Sequence, residues 1–351
     1  MRPVLLILLV AASVLPAWSQ DVDHVAVCEE KTGELSRLYN EQLFGDAVVL
    51  AEEIVSYSKE HLGDQHRRTL VAYLNLGHVH KALGAREQAL LSWKQSLAVA
   101  DAGGHDPSGV LANLVPLCRD QGHPEAAGFA QRHVELIETA HGAESQQMID
   151  ALAALARIHE NDGHAAEAEA VLRRRLDLHD PVHGRHHYAT LNAFFDLALF
   201  LGAMRSDIDG SEAVARECLQ RHEAAGNTGP AVRLILDHIA LVLEARQEYT
   251  EAFALRQRAI EDIKAAEGPD SYRLASHYAG LANNCLYREL SPQAAEYLER
   301  ALELNVAKYG PDNSMTAMAR LDLADLYRDL DRHAEADALE TAANAVLNSE
   351  G

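Results

Sequence analysis

Basic residues are scarce in this chain, and aromatic residues are scarcer still. Lys and Arg together number 31 against 53 Asp and Glu, which gives a formal net charge of −22. A nucleic-acid-binding protein needs a basic surface to release counterions, so the composition excludes that class, and it disfavours anionic membrane surfaces for the same reason. Aromatic residues make up 5% of the chain and hydrophobic residues 48%. This composition predicts a core of alanine and leucine, which is typical of packed helices and poor for a β-sandwich.

Motifs of catalysis and cofactor binding are lacking as well. The sequence has no Gly-x-Ser-x-Gly elbow, no phosphate-binding glycine loop and no His-Glu-x-x-His helix. Acidic runs such as residues 334–337 follow the surface periodicity of a helix and indicate a solvated face. We therefore predict a protein that is not an enzyme and that carries no cofactor.

Cysteine is also rare, and the four cysteines are Cys28, Cys118, Cys218 and Cys285. They fall in different and non-adjacent units of the repeat described below. Packed helices lie about 8–10 Å apart, whereas the Cα atoms of a disulfide lie within about 7 Å of each other. The sequence therefore predicts four free thiols, mostly buried as small hydrophobic groups.

One long apolar run is present, and it lies at the N-terminus. Arg2 precedes the apolar residues 4–15, and Ala17 and Ser19 are small residues at the two positions that a signal peptidase reads. The run is too short to span a bilayer comfortably. We predict a signal peptide at residues 1–19, cleavage before Gln20, and an exported protein, periplasmic or secreted, that is not inserted in a membrane after the signal is removed.

The rest of the chain repeats one pattern, a small residue followed twelve positions later by alanine. Small residues on facing sides of two helices let the backbones approach closely. A repeated helix pair of this size cannot bury its apolar face alone, so it stacks with its neighbours into a solenoid. Ala47 and Ala213 take the alanine position in the first and fifth units. The other pairs are Gly77/Ala89, Val115/Ala127, Ala156/Ala168, Ala240/Ala252, Ala282/Ala294 and Ala324/Ala336.

Polar loops with a glycine separate the units, as at residues 267–274 and 309–316, where the glycine ends one helix and a polar residue caps the next. Within the units, the tight turns are predicted at Gly84, Gly122, Gly163 and Gly202. Trp93 falls at a large inter-helix position of a second helix, so we expect it to be packed.

These features resemble the tetratricopeptide repeat family, and more specifically its kinesin-light-chain type, whose repeats are about 42 residues long and whose linkers read like the YGPDN of residues 309–313. Residues 74–90 and 323–339 carry the resemblance best. It implies an all-α fold, a right-handed superhelical α-solenoid of about eight helix-turn-helix repeats. The predicted repeats are residues 28–64, 67–104, 108–142, 146–184, 187–226, 228–268, 270–309 and 312–348.

The resemblance also implies a binding groove that the first helix of each repeat lines. In the second half of the chain the acids at these positions outnumber the bases. An acidic trough with asparagine amides could hold an extended basic peptide, although an acidic protein is acidic on every surface. We thus predict an interaction scaffold for a protein or peptide partner. The residues expected at the groove are Lys81, Arg119, Asn192, Asp196, Asp237, Glu244, Asn283, Tyr287 and Asp325.

Two alternatives stand beside the scaffold. The loop from His179 to His187 holds four histidines and an aspartate, and imidazole and carboxylate together bind zinc, copper or nickel. However, His187 precedes Leu191 by four residues, as His66 precedes Leu70, and the spacing matches no closed zinc pattern. An ordinary linker is therefore preferred to an exported metal-binding protein. The other alternative is a structural module of an envelope assembly.

Overall fold

The computed structural model describes residues 19–348, which form sixteen α-helices and no strand. The predicted signal peptide lies outside the described residues except for Ser19. No described helix has the length and apolar character that a membrane crossing requires. The helices are α1 (Ser19–Asn40), α2 (Phe44–Leu62), α3 (Arg67–Ala82), α4 (Arg86–Gly103), α5 (Ser108–Asp120), α6 (Ala126–His141), α7 (Gln146–Asn161), α8 (Ala165–His183), α9 (Tyr188–Met204), α10 (Ile208–Ala224), α11 (Pro230–Ala245), α12 (Tyr249–Glu267), α13 (Leu274–Tyr287), α14 (Ser291–Tyr309), α15 (Ser314–Asp329) and α16 (His333–Leu347).

The helices pack as consecutive pairs, which confirms the predicted all-α repeat fold. We call the odd-numbered member of a pair the first helix and the even-numbered member the second helix. The chain divides into two compact units, with the boundary between Leu178 and His179. Unit 1 holds α1 to α7 and most of α8, and unit 2 holds α9 to α16. Each unit is described by itself.

The tight turn inside each pair places one residue in the left-handed region. Glycine takes this conformation at Gly84, Gly122 and Gly163, as predicted, because it has no Cβ to clash. Gly202 instead lies inside α9, and Ser206 takes the left-handed conformation there. The equivalent residues of the other pairs are Gln42, Gln247, Glu289 and Asp331. The turn therefore forms with or without glycine.

Polar side chains start several first helices after the longer loops. The His66 Nδ1 accepts a hydrogen bond from the Arg68 N–H at 3.1 Å, and the Asn313 Oδ1 accepts one from the Met315 N–H at 2.9 Å. Each of these caps satisfies one of the backbone donors that a helix N-terminus leaves free. Gly63 and Gly310 end the preceding second helices with a positive φ. The predicted chemistry of the loops is therefore confirmed at these positions.

The small residues of the repeat are buried where the helices meet. Six of the predicted second-helix alanines are fully buried, in the first, second, fourth, sixth, seventh and eighth pairs, whereas Ala127 of the third pair is only partly buried. The fifth pair differs, since Ala213 is exposed and Ser211 is the buried small residue. The Ser211 hydroxyl donates to the Ala198 carbonyl at 2.7 Å, so its polar group is satisfied in the core. The predicted register of the fifth unit was therefore wrong by two residues. The six buried alanines are Ala47, Ala89, Ala168, Ala252, Ala294 and Ala336.

Two further predictions about packing are confirmed. All four cysteines are free and buried, and burial raises the pKa of the Cys118 thiol to about 11 and that of Cys218 to about 12. Trp93 is 0% exposed and its indole N–H donates to the Leu74 carbonyl at 3.1 Å. Gly77 faces this ring so closely that a Cβ there would lie 2.2 Å from the indole nitrogen.

Candidate binding surface on the first helices of unit 2

Large apolar side chains are exposed along the first helices of unit 2. Leu234 and Leu241 are seven residues apart on α11, and Met315 and Met318 are three apart on α15, which places each pair on one stripe of its helix. Seven such side chains on α9, α11, α13 and α15 are 38% to 59% exposed. They are Leu199, Leu234, Leu241, Leu286, Tyr287, Met315 and Met318. Exposed apolar side chains that share one surface mark an interaction site, whereas single ones are ordinary.

Unit 1 distributes its exposed apolar side chains differently. Val49 and Leu91 lie on the second helices α2 and α4, and Leu43 and Leu83 lie at turns next to helix ends. Within the described part of unit 1, no first helix exposes a large apolar side chain between its ends. The apolar stripe on first helices is therefore a property of unit 2.

Polar and aromatic contacts join neighbouring first helices of unit 2. Phe195 of α9 packs edge-on against His238 of α11, with ring centroids 5.7 Å apart. The His277 Nδ1 of α13 lies 3.3 Å from the Asp237 Oδ1 of α11. Residues of α15 line one cavity together with residues of α11 and α13, so the exposed side chains of these four first helices form one surface. We call it the first-helix face and define it by Asn192, Asp196, Leu199, Leu234, Asp237, Leu241, Asn283, Tyr287, Met315, Met318, Asp322 and Asp325.

Most of the residues predicted for the groove in this unit lie exposed on the first-helix face. Tyr287 stacks on Tyr249 with ring centroids 5.4 Å apart, which fixes the orientation of an exposed aromatic ring. Asp325 forms an ion pair with Arg328 at 3.1 Å. The exposed predicted residues are Asn192, Asp196, Asn283, Tyr287 and Asp325.

Glu244 differs from the expectation, because its side chain is only 8% exposed. Arg256 of the second helix α12 donates two hydrogen bonds to its carboxylate, at 2.9 and 2.8 Å, and the Asn284 amide donates a third at 3.1 Å. Gly280 makes this possible, since a Cβ there would lie 2.6 Å from the Arg256 Nη1. Glu244 therefore neutralises a buried arginine and does not face a partner.

Asp237 is intermediate between these two cases. Its side chain is 25% exposed, and its Oδ1 is buried without a hydrogen bond, 3.3 Å from His277 and 3.7 Å from Arg256. Asp237 also lines a cavity of about 520 Å³ between the N-terminal halves of α11, α13 and α15. The cavity opens on the first-helix face, and the sequence analysis did not predict it.

The two predicted groove residues of unit 1 are engaged by local partners. The Lys81 ammonium lies 5.8 Å from the centre of the Trp93 ring. The Arg119 guanidinium donates two hydrogen bonds to Asp120, at 2.9 and 2.7 Å, and it lines a cavity of about 310 Å³ beside Pro116. Each of these cations is thus held close to the surface of its own repeat.

The histidine loop is built as a helix end and a cap. The rings of His179 and His183 are 5.3 Å apart, and those of His183 and His187 are 5.1 Å apart. The His187 Nδ1 accepts from the Ala189 N–H at 3.3 Å, in the same way that His66 caps α3. Among the residues that the structure describes, no three His, Cys, Asp or Glu side chains are arranged to hold a metal ion. This geometry favours the linker interpretation of the loop.

Comparison with known proteins identifies the class of the fold. The tetratricopeptide repeat family matches residues 232–305, which include α11 to α13 and most of α14. No curated protein matches the chain. The recognition of tetratricopeptide repeats from the sequence is therefore confirmed.

Three solved structures show the same fold at low sequence identity. BtubC (BKLC) from P. vanneervenii is 17% identical over 64% of this chain and 90% of its own, with a TM-score of 0.52. The C-terminal part of a tetratricopeptide repeat protein from Cytophaga hutchinsonii is 12% identical over 82% of this chain and 98% of its own, with a TM-score of 0.53. A signal transduction ATPase with a tetratricopeptide repeat sensor, from Pyrococcus horikoshii, is 12% identical over 94% of this chain and 49% of its own, with a TM-score of 0.53.

Proposed function

We propose that this protein is an exported, non-catalytic scaffold that binds a protein or peptide partner on the first-helix face of unit 2. Tetratricopeptide repeats bind protein or peptide partners, which supports the general class. The observation that carries the choice of surface is the row of exposed apolar side chains on α9, α11, α13 and α15, which the first helices of unit 1 do not share in the part of the chain that the structure describes. A metal-binding role has no comparable support.

The chemistry of the face favours an extended basic partner. Leu234, Leu241 and Met318 can cover apolar side chains of the partner, and the exposed carboxylates of Asp196 on α9 and Asp325 on α15 can meet its lysine or arginine side chains. The face is built on packed helices that are already ordered. Most of the conformational entropy lost on binding is therefore that of an extended partner, and little is that of the protein. The formal net charge of −22 speeds the encounter with a basic partner.

The experiment compares two matched pairs of substitutions. Leu241→Ser with Met318→Ser removes apolar side chains from the first-helix face, and Val49→Ser with Leu91→Ser removes side chains of similar exposure from the second helices of unit 1. An array of synthetic 12-residue peptides that vary in net charge and apolar content provides the ligands. Each binder is then labelled with fluorescein and titrated by fluorescence anisotropy.

We expect the first pair to weaken binding at least tenfold and the second pair to leave it unchanged, with the same far-ultraviolet circular dichroism for all three proteins. Equal binding by both double variants would remove the first-helix face as the site. Glu244 is left intact in this design, because its removal would leave the buried Arg256 without its partner and would confuse a stability effect with a binding effect.

Export rests on the N-terminal sequence and needs its own experiment. The basic Arg2, the apolar run at residues 4–15 and the small residues Ala17 and Ser19 support a cleaved signal peptide. We expect the secreted or periplasmic protein to begin at Gln20 when its N-terminus is sequenced. A protein that keeps Met1 and remains in the cell would contradict export without affecting the binding proposal.

A further inference from the structure

The cavity on the first-helix face has the features of a small-molecule site. Its volume of about 520 Å³ falls within the range of about 300–1,000 Å³ that is usual for ligand pockets. Its walls are mainly apolar and aromatic, and they include Leu234, Tyr272, Tyr309, Met315 and Met318. Each of these five side chains is 39% to 58% exposed.

One end of the cavity carries a buried positive charge. The Arg233 side chain is 7% exposed and lines the cavity. Within the described residues its guanidinium makes a single hydrogen bond, from Nη2 to the Glu267 Oε1 at 3.5 Å, although a guanidinium has five N–H donors. The Arg273 Nε lies 3.6 Å from the same carboxylate. Two guanidinium groups therefore share one carboxylate, which leaves one positive charge without a counterpart.

The Lys308 ammonium adds to the positive character of this end. It lies 4.7 Å from the centre of the Tyr272 ring, and Tyr272 directly precedes Arg273 in the chain. The first turn of α13 also begins here, at Leu274, without a side-chain cap, and a helix N-terminus favours a negative group. A carboxylate is the ligand group that suits this end.

The opposite charge lies one helical turn further along α11. Asp237 and Glu244 face one arginine, Arg256, and Glu244 alone takes both of the close hydrogen bonds of that guanidinium. The Asp237 Oδ1 receives no hydrogen bond. Asp322 also lines the cavity, so the carboxylates of Asp237, Glu244 and Asp322 outnumber Arg256, and a ligand ammonium would offset their charge.

We propose that the cavity binds a free α-amino acid with a large apolar side chain. Arg233 and Asp237 are four residues apart on α11, which puts their Cβ atoms about 5–6 Å apart. This spacing lets one small zwitterion place its carboxylate toward Arg233 and its ammonium toward Asp237. The apolar side chain then lies among Met315, Met318 and Tyr309. The cavity shares Leu234 and Met318 with the proposed partner surface, but the binding of a free amino acid needs no protein partner, so it can be tested independently of the scaffold function.

The probes isolate each charge in turn. L-phenylalanine carries both charges, L-phenylalaninamide lacks the carboxylate and N-acetyl-L-phenylalanine lacks the ammonium. Each is titrated into the full-length protein by isothermal calorimetry, together with L-leucine and the dipeptide Phe-Leu. We expect phenylalanine to bind and each singly charged analogue to bind at least tenfold more weakly, because a charged hydrogen bond is lost.

Three variants locate the site. Arg233→Met should weaken phenylalanine at least tenfold without a matching effect on the amide, and Asp237→Asn should weaken phenylalanine without a matching effect on the N-acetyl compound. Asp337→Asn is the control, since Asp337 is exposed on the second helix α16, outside the first-helix face, and does not line the cavity; it should bind like the unaltered protein. The probe series alone tests the charge requirement if Arg233→Met does not fold.

The outcomes separate cleanly. Tighter binding of Phe-Leu with the same dependence on both charges would support the zwitterion site and identify short peptides as the better source. The absence of binding by all the amino acids and the dipeptide would overturn the proposal. Equal binding of phenylalanine and its two analogues would also overturn it, since only apolar burial would then be at work. None of these results depends on the peptide array.

Discussion

Gly77 is the position where the packing of the repeat can be tested most sharply. In Gly77→Ala the new Cβ would lie 2.2 Å from the Nε1, 2.3 Å from the Cδ1 and 2.8 Å from the Cε2 of Trp93. Carbon atoms pack at about 3.5–4.0 Å, so the ring must move by more than an ångström. Trp93 is fully buried and its indole donates to the Leu74 carbonyl. The ring therefore cannot move without losing contacts and this hydrogen bond.

The magnitude follows from three effects. Overpacking a core costs about 1–3 kcal/mol, and a buried donor left without its partner costs about 1–3 kcal/mol. Replacing a mid-helix glycine by alanine gains about 0.5–1 kcal/mol. We expect Gly77→Ala to lower the free energy of unfolding by about 3 kcal/mol. Gly33→Ala is the matched control, because Gly33 lies within α1 with no atom near its Cβ position, and it should raise stability by about 0.5–1 kcal/mol.

Urea unfolding followed by circular dichroism and by tryptophan fluorescence measures both variants. Trp93→Phe in the Gly77→Ala background adds the decisive comparison, since the smaller ring relieves the clash. The double variant should be more stable than the sum of the single effects predicts, by about 1 kcal/mol or more. If Gly77→Ala is as stable as the unaltered protein, or if Trp93→Phe brings no relief, the assignment of this contact is refuted.

Three further predictions concern other parts of the chain. Burial lowers the pKa of His78 to about 4, so between pH 6.5 and 4 the unfolded chain binds more protons than the folded protein. The free energy of unfolding should therefore fall as the pH drops through this range, by about 3 kcal/mol in all. In His78→Gln, urea unfolding should show a weaker dependence of this free energy on pH over the same range. Arg256→Met should cost about 3–5 kcal/mol by leaving Glu244 buried and unpaired, with recovery in Arg256→Met/Glu244→Met; equal stability of the single and double variants would contradict the buried pair. Glu289 has a φ of 57°, so Glu289→Gly should raise the thermal midpoint, by a gain of about 1 kcal/mol, whereas Glu296→Gly inside α14 should lower it.

The repeat was predictable because its cause is steric. Where two helix backbones approach, only small residues fit, and Ala89, Ala252 and Ala336 show this directly. The fifth pair escaped the pattern because serine can replace alanine when its hydroxyl finds a carbonyl. Ser211 does so at Ala198, and a search for alanine alone selects the exposed Ala213 instead.

The binding surface was only partly predictable. The repeat register found the polar residues of the first-helix face, such as Asn283 and Asp325. It missed Leu241, which occupies the same register position, because a leucine in a helical repeat is usually a core residue. The cavity depends on which side chains converge from five helices, and periodicity along one helix does not contain that information.

Glu244 was misassigned for a related reason. Its partner Arg256 lies on the other helix of the pair, twelve residues later. The Arg256 guanidinium reaches Glu244 by passing next to Gly280 of α13. The one signal in the sequence was Gly280, a glycine inside a first helix. Its missing side chain leaves the space that the arginine occupies.

The reach of Arg256 across its repeat means that the two sides of the pair α11–α12 are not independent. The arginine is anchored in the second helix α12, yet its charge offsets carboxylates beside the first-helix face. A ligand, a modification or a shift of α12 that drew the guanidinium away from Glu244 would leave that carboxylate without its counter-charge. The negative field at the first-helix face would then be stronger. The affinity of the first-helix face for a cation can therefore depend on changes at the second helix α12.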